Sequence, residues 1–66
     1  MKYDIIAYES QGSTNTHELQ NIEGLEEARA AARRLIVQAY HTGGLAEIYN
    51  DEMVVVDTVF REEVAL

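Results

Sequence analysis

The side chains able to do chemistry in this chain are few and scattered. His17 and His41 are its two imidazoles. They fall in different segments, at no spacing that lets both reach one metal ion. The ordinary readings are a loop residue for His17 and a cation suited to the negative end of a helix for His41. General acid or base work by either needs a second positioned group, and none stands at motif distance. The acidic pairs Asp51-Glu52 and Glu62-Glu63 would attract a divalent cation only weakly, because they lack the D-x-D-x-D-G spacing that builds a calcium loop. They are read as solvated turn and tail charges. Ser10 and Ser13 have no base at motif spacing, and GxSxG, GxxxxGK[ST], GxGxxG and HExxH are all missing from the sequence. The glycine of QGST marks a turn, not a phosphate cradle. With no cysteine, disulfides and thiolate zinc sites are both closed. A carboxylate pair for glycosidic chemistry would need a walled cleft of ~300 Å³, for which so short a chain has little room. The expectation is therefore a protein with no catalytic residues, no cofactor and no metal, which zinc, calcium and magnesium leave unchanged: not an enzyme.

Charge narrows the classes further. Twelve acidic against five basic residues give a net charge of -7, which argues against direct binding to nucleic acid or to an anionic membrane. The segment from Leu25 to His41 holds three of the five bases, Arg29, Arg33 and Arg34, and only two of the acids. At helical spacing Arg34 projects nearly opposite to Arg29, no aromatic residue interleaves with them, and Glu26 and Glu27 stand one turn upstream for local pairing. They are read as a solvated helix face. The acidity sits on the rest of the chain. No run of about 18 apolar residues is present, and the opening Met1-Lys2-Tyr3-Asp4 is strand-like, unlike a secretion signal. A soluble, cytoplasmic, single domain spanning 1–66 is expected.

Length sets a constraint of its own. At 66 residues and 7.4 kDa, scaling gives a folded surface of about 4,200 Å² and a thin margin of burial over chain entropy. Domains this small recruit a disulfide, a metal or another protein surface; with the first two closed, the third is favoured, including self-association in the dimer range.

The elements follow from periodicity. KYDIIAYES reads as a strand, and SQGSTNT breaks it. A short second strand near HELQN would complete a hairpin. A helix then starts with Gly24 or Asn21 as N-cap, and Glu26 and Glu27 stand in its first turn, where carboxylates meet the positive end of the dipole. Leu25, Ala28, Ala32, Leu35, Ile36 and Ala39 form its apolar stripe, and HTGG supplies a terminal cation and a glycine stop. LAEIYN and MVVVDTVF read as two strands joined by a tight turn at Asn50-Asp51-Glu52. The tail Arg61 to Leu66 extends the last strand, turns helical or frays. The fold class expected is α+β, β-(β)-α-β-β, with a three- or four-stranded, mainly antiparallel sheet and one amphipathic helix packed on one face.

One helix covers one face of such a sheet, so the other face carries the question of function. Alternation assigns Tyr3, Ile5, Ala7, Ala46, Ile48, Val54, Val56 and Thr58 to the helix side. The opposite side then shows Asp4, Ile6, Tyr8, Leu45, Glu47, Tyr49, Met53, Val55, Asp57 and Val59. That is too apolar for a face left to water alone. Asp4, Ile6, Tyr8, Glu47, Tyr49, Val55 and Asp57 are the expected partner-binding residues. Tyr8 and Tyr49 are the anchors, and Asp4, Glu47 and Asp57 steer a basic protein surface. The alternatives are a self-assembling accessory domain that buries this face or an open strand edge in a homo-oligomer, a homodimer in the simplest case, and a small-ligand binder with its pocket between subunits.

In size, acidity, lack of cysteine and the placing of one alanine-rich helix among strands, the whole chain resembles the small inhibitor proteins that phages encode against bacterial defence systems, anti-CRISPR proteins in particular. The resemblance implies inhibition without chemistry, by occupying a nucleic-acid-binding surface or locking a subunit. It carries no functional residue over to DIIAY, LAEIYN or VVVDTVF.

Overall fold

In the computed structural model, which describes residues 1–10 and 12–63, four strands and one helix follow in the order β1 (Lys2–Tyr8), β2 (Thr16–Glu23), α1 (Leu25–Ala39), β3 (Leu45–Tyr49) and β4 (Val55–Phe60). The strands form one sheet in the order β2-β1-β3-β4, and every neighbouring pair is antiparallel. A single 3₁₀ turn, Arg61–Glu63, follows β4. The fold is α+β, and the thinly apolar HELQN segment is a full edge strand. Residues 64–66, where the sequence left the tail open, lie outside the described residues. The short dimension of the molecule is 15 Å, room for one sheet and one helix layer.

The helix starts where the sequence places it. Gly24 takes φ 88°, which suits glycine alone, and its carbonyl accepts the first helical bond from the Ala28 amide at 3.0 Å. No side chain caps this end; Asn21, the other candidate, lies within β2. Ala28, Ala31, Ala32 and Ile36 are the buried helix positions, and the small alanines let the helix sit close against Ile5, Ala7, Ala46, Ile48 and Val59 of the sheet. Leu25, Leu35 and Ala39 pack at the margin of this core.

The C-terminal end departs from expectation. The helix stops at Ala39, because Tyr40 turns to an extended conformation, φ -129°, and drives its ring into the core. Its hydroxyl donates to the carbonyls of Ala7, at 3.0 Å, and Asn15, at 2.8 Å. Gly44, at φ +112°, follows so closely that a Cβ there would stand 2.9 Å from Ile36 Cγ2. His41 is exposed beyond the helix and is not its terminal cation. Arg61 takes that place from the far end of the chain, its Nη1 donating to the carbonyls of Tyr40 at 2.9 Å and Ile36 at 3.4 Å. His17 is no loop residue either: it lies in β2, edge-on to the Tyr40 ring at 5.6 Å.

Two β-bulges decide which side chains face where. In β2 the register with β1 slips between Tyr3 and Ile5, and Asn21 adopts φ 60° to absorb the extra residue. In β4 the slip falls at Val55-Val56, opposite Tyr49. Past it, Asp57 pairs with Ile48 and Val59 with Ala46, which sets both on the helix side. The assignment of Thr58 to the helix side, with Asp57 and Val59 opposite, is thus inverted in β4, and Val54 and Val56, also expected on the helix side, are exposed. One extra residue in a strand of period 2 sends every later side chain to the other face. Val59 is 4% exposed, whereas Val56 is 43% and Val54 is 54% exposed.

Candidate functional site

The register places the open face in three cross-strand rows, since directly paired residues share a face. Thr16, Tyr8, Leu45 and Phe60 form the first; Glu18, Ile6, Glu47 and Thr58 the second; Asp4, Tyr49 and Val55 the third. Six of the seven expected residues, Asp4, Ile6, Tyr8, Glu47, Tyr49 and Val55, are brought together here. Aromatic and aliphatic side chains make up most of the outer rows, and the middle row carries a carboxylate on each side of Ile6.

Asp57 is the correction. It turns toward the helix, where its Oδ2 accepts from Arg29 Nε at 2.6 Å, and its Oδ1 accepts from the Thr58 amide at 2.9 Å. The hydrogen bond from Arg29 holds the Asp57 carboxyl below its usual range, against the opposing effect of burial, and the same bond raises the Arg29 guanidinium. Arg29 also reaches Glu26 Oε1 at 2.9 Å. An inward charge that ties up a backbone N–H blunts β4, an edge strand, against pairing with another strand. Asp57 thus lies on the helix side of the sheet, off the open face where the sequence places it.

Within the open face the polar groups are organised around Glu47. The Tyr49 hydroxyl donates to Glu47 Oε1 at 3.0 Å. Burial, with a further contribution from the Glu47 carboxylate and from Tyr8, pushes the Tyr49 phenol up to about 12, so at neutral pH it keeps the proton that it donates to Glu47. Asp4 Oδ1 accepts from the Asn21 amide at 3.1 Å, which ties the face to the bulge of β2. Tyr8, Gly12, Leu45 and Glu47 line a shallow, open depression of about 280 Å³ beside the β1–β2 loop. Among the described residues no cation forms an ion pair with Asp4, Glu18 or Glu47.

The sequence reading left Glu18, Thr58 and Phe60 out of the site. Glu18 was missed because β2 shows little alternation, and Thr58 and Phe60 because the bulge in β4 reverses their side. The apolar surface continues around the β3–β4 turn, where Met53 is 64% and Val55 41% exposed. The turn is held by Asn50, whose Oδ1 accepts from the amides of Glu52 and Val54, and Met53 takes φ 63°.

Among the described residues no group of three or more His, Asp or Glu side chains is placed to hold a metal ion, and no helix is long and apolar enough to cross a membrane. No protein-family model, no curated protein and no solved structure matches the chain. The likeness to phage inhibitors thus rests on size, charge and architecture.

Proposed function

We propose that this is a small, acidic, non-enzymatic interaction protein whose open sheet face docks on and masks a basic surface of a protein partner, as an inhibitor of the anti-CRISPR kind would. One observation carries the reading: Ile6, Tyr8, Leu45, Tyr49 and Val55 share an uncovered face with Asp4, Glu18 and Glu47, while the helix covers the other side. Aromatic anchors bring large buried area with a polar tip, and carboxylates around them favour a partner rich in arginine and lysine. Four of the five bases of the chain are set apart from this face: Arg29, Arg33 and Arg34 stand on the helix, and Arg61 serves the helix terminus; the fifth, Lys2, shares the face at the far end of β1, in register with Glu23. The test is capture from host extracts on the immobilised protein beside its Tyr8→Ala and Tyr49→Ala variants. The partner sought is retained by the first, lost by the variants, and loses its hold on nucleic acid when bound. Equal capture by all three baits would remove the proposal.

A second reading, self-association, is favoured by the consecutive exposure of Met53, Val54, Val55 and Val56. Because Asp57 blunts the β4 edge, two copies would meet face to face. A strictly monomeric mass at ~100 μM, with a melting temperature independent of concentration, would remove it.

A further inference from the structure

The depression on the open face has the chemistry of a receptor for one particular side chain. It is lined by Tyr8, Gly12, Leu45 and Glu47, an aromatic, an aliphatic and a carboxylate side chain around one opening. The Tyr49 hydroxyl holds Glu47 Oε1, which fixes the carboxylate in place and leaves Oε2 to accept from elsewhere. No base of this chain is positioned to supply that donor. Arg29 is bound to Asp57 and Glu26, and Arg61 is bound to the helix carbonyls. Arg33 and Arg34 are exposed on the helix, across the sheet. Lys2 pairs in register with Glu23 at the other end of β1, four residues, about 13 Å at ~3.3 Å per residue, from Ile6, the strand partner of Glu47.

We infer that the depression lined by Tyr8, Leu45 and Glu47 is a socket for an arginine side chain of the partner. A guanidinium is planar and weakly hydrated, so it lies on an aromatic face and against an aliphatic wall while donating to a carboxylate. A lysine ammonium satisfies the carboxylate but loses more hydration against Leu45 and gains less from the ring. The inference rests on the open face being the docking surface, yet its test requires no partner.

The probe is N-acetyl-arginine methylamide, titrated into the isotope-labelled protein and followed by amide chemical shifts, with the neutral citrulline analogue and the lysine analogue as comparisons. Saturable shifts centred on Tyr8, Gly12, Leu45 and Glu47 are expected, with affinity for the lysine analogue several-fold weaker and for citrulline at least tenfold weaker. Glu47→Gln should weaken arginine binding at least fivefold, and Tyr8→Leu, which keeps bulk but removes the ring, about threefold, with amide dispersion showing each variant folded. Equal response to arginine and citrulline, shifts that follow Glu26 and Glu62 as much as Glu47, or an unaltered affinity in Glu47→Gln would each overturn the socket. If the socket binds arginine but the captured partner is indifferent to Glu47→Gln, the socket stands and the open-face reading falls.

Discussion

Val59→Ala and Val56→Ala make a matched pair that tests the bulge in β4, and with it the identity of the open face. The two valines differ by three positions in one strand and are chemically identical, yet one is 4% exposed and the other 43%. Val59 packs with Ala46 and Ile48 beneath the helix. Trimming it removes two carbons, about 1.6 kcal/mol of transfer free energy at ~0.8 kcal/mol per methylene. The space left behind adds up to about 1 kcal/mol more. A total of roughly 2.5 kcal/mol is expected. Unfolding entropy of ~2.1 cal/mol/K per residue gives roughly 0.14 kcal/mol/K for this chain, so the melting temperature should fall by about 15–20 °C. Val56→Ala loses only strand propensity and a half-exposed surface, below ~1 kcal/mol and a few degrees. Thermal unfolding followed by circular dichroism, with urea melts as a check that the m-value is unchanged, reads both. A larger loss for Val56→Ala than for Val59→Ala would refute the bulge and return Asp57 to the open face.

Other expectations follow from single contacts. Asp57 has a folded-state pKa below its unfolded value, so its ion pair stabilises the protein above the unfolded carboxyl value of about 3.9 and is lost as pH falls through the lower folded value. Melting temperatures of wild type and Asp57→Asn should therefore differ at pH 7 and converge as the pH falls through the lowered folded value; a constant gap would contradict this. Tyr40→Phe leaves the Ala7 and Asn15 carbonyls without their shared donor and should cost about 1–2 kcal/mol in urea melts, with no change in the helical signal. Gly44→Ala meets Ile36 Cγ2 at 2.9 Å and Tyr40 Cδ2 at 3.1 Å as well as a positive φ, whereas Gly24→Ala meets nothing within 4 Å. The first should destabilise by about 3 kcal/mol and the second by about 1 kcal/mol, measured by the same melts.

How far the sequence reveals this molecule depends on where its alternation is intact. In β1 and β3 polar or large residues alternate with Ile5, Ala7, Ala46 and Ile48, and both faces are legible. The helix stripe is legible for the same reason at period 3.6, although Ala31 joins it. β2 is faint because its inward residues, Leu19 and Ile22, are three apart across the Asn21 bulge, which hides the period of 2. In β4 the run Val54-Val55-Val56 has no alternation at all, so nothing local marks the residue that slips, and Asp57 reads as an outward acid when it is an inward one. The helix terminus fails for a longer-range reason. HTGG looks complete in itself, but Tyr40 is drawn off the helix by the core and by two carbonyls, and the terminal cation comes from Arg61, which neighbours it only after β3 and β4 have folded back. Six of the seven residues expected on the open face lie there because they belong to β1, β3 and the turn side of the bulge.

The central claim is that the open sheet face, and not the helix, meets the partner. The most direct measurement is the affinity of the captured partner for four variants side by side: Tyr8→Ala, Tyr49→Ala, Glu47→Lys and the double change Arg33→Gln with Arg34→Gln, each checked for fold by circular dichroism. Each tyrosine truncation should cost about 2 kcal/mol or more, roughly a thirtyfold loss, as central anchors do. Glu47→Lys should slow association and flatten its salt dependence, while the double arginine change leaves affinity within about twofold. Loss of binding in the arginine variant with silent tyrosine and glutamate variants would make the helix the recognition element and contradict the assignment of the face.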